Sequence, residues 1–153
     1  MPYQEQIQSL QNPTFQKIRR IAFDSIAHLS NAERTNFYNQ LNRGVDILET
    51  NELLCQYLWS YGNMHEDKMR RALSSISNPQ QVFSNDLAIV DWGCGQGLAT
   101  VCFFDFLKQH NIANCVRNII LIEPSKMALE RAKFHTNAYP DFDTGCRKTI
   151  LRH

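Results

Sequence analysis

Apolar positions in the first half of the chain recur every three or four residues, whereas in the second half they fall into short unbroken runs. The first spacing predicts helices. Phe15, Ile18, Ala22, Ile26 and Leu29 form one stripe, and Asn12-Pro13 is the expected helix start, because Asn caps well and Pro tolerates the first turn. Ser30-Asn31 with Glu33-Arg34 opens a second helix, which carries Phe37, Tyr38 and Leu41 and falters at Gly44. A third is expected from about Thr50, with Leu53, Leu54, Tyr57, Leu58 and Tyr61 on its face, ending at Gly62 as a C-terminal glycine does. A fourth carries Met64, Met69, Ala72, Leu73 and Ile76. No internal repeat is visible.

The period changes after the turn Ser77-Asn78-Pro79, which divides the chain into a helical subdomain, 1–77, and a second unit, 78–153. There the order is strand (87–91), glycine-rich turn, mostly apolar helix (98–109), a connection marked by Asn111 and Asn114, a second strand (118–123), and a helix from Pro124 or Ser125 to about 137. The run Asn118-Ile119-Ile120-Leu121-Ile122-Glu123 predicts a parallel strand covered on both faces. Ile150-Leu151 is at most a stub of another strand. The fold class is therefore α/β: a helical cap followed by β-α-β-α. Two parallel strands alone leave exposed edges and faces, so the pattern reads as the opening of a larger fold.

The chemistry concentrates in Asp91-Trp92-Gly93-Cys94-Gly95-Gln96-Gly97, between the first strand and its helix. Glycines at alternate positions permit positive φ and let a ligand lie against bare backbone. The following helix N-terminus is expected to offer unpaired N–H groups to the same spot. With Glu123 closing the second strand, this stretch resembles class I S-adenosylmethionine-dependent methyltransferases over roughly residues 86–137. The resemblance implies a Rossmann-like fold and S-adenosylmethionine as cofactor. It implies that Asp91, Trp92, Gly93, Cys94, Gly95 and Gly97 wrap the methionine portion, that Glu123 accepts hydrogen bonds from the ribose hydroxyls, and that Pro124 and Ser125 lie against the adenine, with Met127 nearby. The ribose role has its own physical sense, since a carboxylate only accepts and a diol offers two donors. The plainer alternatives are a tight connection for the glycines, a first-turn acid for Glu123, and a small loop-filling residue for Cys94, which has no His or Asn partner pattern.

A complete member of that family has further strands and an acceptor-holding motif, and none fits after residue 137. The expectation is a truncated, N-terminal portion, with no catalytic residue assigned and methyl transfer by the chain alone in doubt. The acceptor is left open among RNA, protein and small molecules. Two other readings stand beside this one. One is an NAD(P)-type dinucleotide binder, although the third glycine comes one place early for that fingerprint. The other is a non-catalytic interaction module on a Rossmann remnant.

Composition narrows the setting. The chain has 153 residues, 43% apolar and 20% charged, with 16 basic against 15 acidic side chains. This is ordinary globular composition with no overall charge favouring nucleic acid. Five cysteines without a C-x-x-C pair, no leader sequence and no apolar run of membrane length predict a cytoplasmic protein with reduced thiols, no membrane span and no metal. Tyr61-Gly62-Asn63-Met64-His65 is either a lid that brings Tyr61 or His65 to the cofactor or a simple helix joint. Lys17-Arg19-Arg20 and Lys68-Arg70-Arg71 are either RNA-backbone contacts or solvated helix faces.

Overall fold

Each long helix of the first half begins at a side chain that can accept from its own first turn. In the computed structural model, which describes residues 1–84, 86–113, 115–142 and 147–151 (the backbone alone at 141 and 147–151), the helices are α1 (Tyr3–Gln8), α2 (Phe15–Ile26), α3 (Asn31–Gln40) and α4 (Asn51–Ser74). The Thr14 hydroxyl accepts from the Lys17 N–H and caps α2, so the helix starts two residues later than Asn12-Pro13 predicts. Asn12 sits at φ 48°, which takes it out of the capping geometry. Ser30 and Glu33 form a reciprocal capping box at α3. Helix α1 had no counterpart in the sequence pattern.

The third and fourth expected helices are one. α4 runs unbroken through Gly62. That glycine is not a terminator: a Cβ there would sit 3.2 Å from Phe15 Cζ and 3.1 Å from Arg19 Cδ, so its missing side chain lets α2 and α4 approach.

A short helix, α5 (Pro79–Val82), leads to β1 (Leu87–Trp92), α6 (Leu98–Gln109), β2 (Val116–Ile122), α7 (Lys126–Asn137) and β3 (Arg147–Leu151). The strands form a parallel sheet in the order β1-β2-β3, with Val90 opposite Ile120 and Trp92 opposite Ile122. This is a mixed α/β architecture. The expected pair of strands is a triplet, because 147–151 pairs along its whole length with 118–122. The expectation that β2 is covered on both faces holds only in part: within 118–122, Ile119 and Leu121 are buried on one face, but on the other only Ile122 is, with Asn118 exposed and Ile120 half-buried. The face carrying Leu87 and Ile89 packs into the core, whereas Val90 and Trp92 on the other face are 59% and 70% exposed.

One apolar cluster joins the two halves: Ile7, Phe15, Ile18 and Leu58 from the helices meet Phe104, Leu107, Ile119 and Leu121. Asp105 of α6 fixes the register of that contact. Its carboxylate accepts from the Phe15 N–H at 2.7 Å and from the Tyr139 hydroxyl at 2.8 Å. Among the described residues, no helix is long and apolar enough to cross a membrane, and no group of three or more His, Cys, Asp or Glu side chains is placed to hold a metal ion.

Candidate functional site

To pass from β1 into α6 the chain must reverse within five residues, and it does so at φ 66°, 51° and 74° for Gly93, Gly95 and Gly97. At Gly95 an added Cβ would meet nothing within 4 Å, so that position is open; at Gly97 it would lie 3.2 Å from the Ala132 backbone, so that position is needed for packing against α7. The loop's own backbone donors turn inward. The Cys94 N–H donates to Ile122 O at 3.0 Å and the Gly97 N–H to Cys94 O at 2.7 Å. The Gly95 N–H donates to Glu123 Oε2 at 2.9 Å. The N–H groups at 94, 95 and 97 are thus engaged within the protein, whereas the first turn of α6 starts from Gly97 with no side chain to cap it.

Glu123 ties the loop to the next helix, since its Oε1 accepts from the Ser125 N–H at 3.0 Å. Each oxygen keeps a further lone pair for a ligand donor. Asp91, at the end of β1, accepts from the Thr100 hydroxyl at 2.7 Å and so holds the first turn of α6.

A second set of ties passes through Gln96, which is buried. Its Nε2 donates to Leu54 O at 3.0 Å, its Oε1 accepts from Arg131 at 3.3 Å, and its carbonyl accepts from His135 Nδ1 at 2.8 Å. His135 Nε2 in turn accepts from the Tyr3 hydroxyl at 2.7 Å. Burial holds the imidazole neutral, its pKa lowered to about 3, with the Arg131 charge acting in the same direction. The Arg131 guanidinium is buried too. It lies 3.9 Å from the Tyr3 ring centroid and donates to Asn51 O, Asn51 Oδ1 and Cys55 Sγ, each at 3.2 Å. Helices α1, α4 and α7 thus clamp the glycine loop from behind.

In front of the loop lies a cavity of about 230 Å³, walled by Gly93, Gly95, Glu123, Pro124 and Ser125 on one side and by Asp46, Ile47, Leu48 and Tyr57 of the helical half on the other. Of the residues that the resemblance assigns to the cofactor, Gly93, Gly95, Glu123, Pro124 and Ser125 line it. Asp91, Trp92, Cys94 and Gly97 do not reach its walls. Trp92 lies on the exposed face of the sheet. Cys94 is buried, and burial together with Asp91 and Glu123 pushes its thiol up to about 12, which leaves it a poor nucleophile. Cys55, Cys94, Cys102 and Cys115 are free buried thiols; Cys146 lies outside the described residues.

The helical half reaches the cavity through residues to which the sequence pattern gave no part in the site. Tyr61 packs between Tyr38 and Tyr57, with ring centroids 6.1 and 5.3 Å away, and His65 Nε2 is hydrogen-bonded to the Tyr57 hydroxyl at 2.8 Å. Tyr57, not Tyr61 or His65, faces the glycine loop. The spacing 57, 61, 65 along one helical face was the available signal. Within the basic clusters, Arg19 stacks 4.1 Å over Trp59 and donates to its carbonyl, Arg20 pairs with Asp24, and Arg70 pairs with Asp67.

No protein-family model matches the chain, and no curated protein and no solved structure matches it either.

Proposed function

We propose that the cavity binds an adenosine-type methyl donor, S-adenosylmethionine, and that the chain is of methyltransferase type. The β-α-β-α-β order with parallel pairing suits the opening of a Rossmann-like fold. The observation that carries the reading is the chemistry of the cavity wall. Its charged residues are Asp46 and Glu123, with no Lys, Arg or His among the described lining residues. The loop N–H groups at 94, 95 and 97 already have internal acceptors. A dinucleotide would press a pyrophosphate against two carboxylates with no cationic side chain in the wall to offset them. A cationic ligand with hydroxyl donors meets the opposite situation: the sulfonium is attracted to the acids, and the ribose diol finds the remaining lone pairs of Glu123.

The test is calorimetric titration of the purified chain with S-adenosylhomocysteine and, separately, with NAD, with circular dichroism on the same sample. Saturable binding of the homocysteine compound alone is expected. A folded sample that binds neither overturns the reading and leaves the interaction module, and binding of NAD alone would replace it with a dinucleotide site.

A further inference from the structure

Between the turn Asn42–Gly44 and α4, residues 45–49 form a strap with no regular structure. Leu48 anchors it, buried with Leu41, Leu54 and Ala128. The Ser125 hydroxyl donates to the Leu48 carbonyl at 3.4 Å. The neighbouring Ile47 is 57% exposed, an apolar side chain left largely in water.

Ile47 also lies at a junction. Beyond the first cavity is a second, of about 470 Å³, lined by Ile47, Glu49, Pro124, Ser125, Lys126, Met127 and Glu130. The two share Ile47, Pro124 and Ser125, so the strap divides one groove. The first cavity alone, about 230 Å³, is below the ~300–1,000 Å³ of sites that enclose a nucleoside-sized ligand. A ligand held at the glycine loop therefore has to continue past Ile47 into the second space. What it finds there are the apolar side chains of Ile47, Pro124 and Met127, with the charged Glu49, Lys126 and Glu130 also in the lining.

We infer that Ile47 is a ligand-positioning residue: it covers the base of the bound nucleoside together with Pro124 and Met127, while the rest of the ligand occupies the first cavity. This rests on the nucleoside reading of the site. Because the side chain gives up water for the base only when ligand is bound, its contribution belongs to binding and not to folding.

The experiment compares the full chain with Ile47→Ala and Ile47→Leu, titrating each with S-adenosylhomocysteine and with 5′-methylthioadenosine, and recording thermal unfolding without ligand. Ile47→Ala is expected to weaken both compounds about tenfold, the scale of one lost aliphatic burial. Ile47→Leu should restore affinity, and the unfolding temperature should be unchanged in both variants. Wild-type protein that binds S-adenosylhomocysteine with an affinity Ile47→Ala does not change would overturn the role of Ile47 and leave the nucleoside reading standing. Equal loss of affinity and of unfolding temperature would make Ile47 a structural residue and overturn the inference. Folded wild-type protein that binds neither compound removes the nucleoside reading, and the inference with it.

Discussion

Gly95 and Gly97 sit two residues apart in one turn, both at positive φ, yet they answer to different neighbours. A side chain at either meets backbone strain of about 1–3 kcal/mol. At Gly97 it also meets the Ala132 backbone, 3.2 Å away. Gly97→Val is therefore expected to lose more stability in urea unfolding than Gly95→Val, while Gly95→Val loses ligand binding because its branch projects into the open cradle. The sequence shows two equivalent glycines; the difference depends on a residue of α7 that becomes a neighbour only on folding. Glu123 is similar. A strand-ending acid is legible, but its bonds to the Gly95 and Ser125 N–H groups are not. Glu123→Ala should weaken S-adenosylhomocysteine binding by about 1.5–3 kcal/mol, the range for a hydrogen bond to a charged group, and calorimetry on the variant checks it. His135 makes a pH prediction. The unfolded chain takes a proton at this side chain below about pH 6.5, and the fold refuses it until about pH 3. The unfolded state then binds more protons, so stability falls as pH drops through that window, by up to about 1.4 kcal/mol per unit. Between pH 6.5 and 5, His135→Gln should show a shallower loss than wild type in chemical denaturation at each pH.

Among the elements, what was local was legible. Ser30 and Glu33 announced α3 because a capping box needs only four consecutive residues, and the stripe from Phe15 to Ile26 is buried as its spacing implies. Gly62 misled because a glycine at helical spacing serves either as a terminator at positive φ or as a packing notch, and only the partner helix decides. The notch reading has a measurable consequence. Gly62→Ala should change stability by no more than about 1 kcal/mol, since the gain in helix propensity opposes tight contacts with the Arg19 stem and the Phe15 ring edge that need shift only a few tenths of an ångström. Gly62→Leu should cost about 1–3 kcal/mol by forcing α2 off α4. A helix end at this position would instead make the alanine variant the damaging one.

For the molecule as a whole, the site belongs to neither half. Asp46, Ile47 and Tyr57 come from the helices and Gly93, Gly95 and Glu123 from the strand ends, brought together by a core shared between them. No pattern within either half encodes that meeting, which explains why the glycine loop was readable and its opposite wall was not. The sheet shows the same limit. The apolar run of β2 implied cover on both sides, but cover depends on where the helices go, and on the second face Val90 and Trp92 are left to solvent. Val90→Thr should accordingly leave the urea midpoint nearly unchanged, within about 0.5 kcal/mol.

The hydroxyl of Tyr3 stands two hydrogen bonds from the carbonyl of Gln96. The extreme amino terminus and the glycine loop, over ninety residues apart in sequence, are thus adjacent in mechanical terms. A protease that trims the chain ahead of α2 would cut nowhere near the loop and still loosen it.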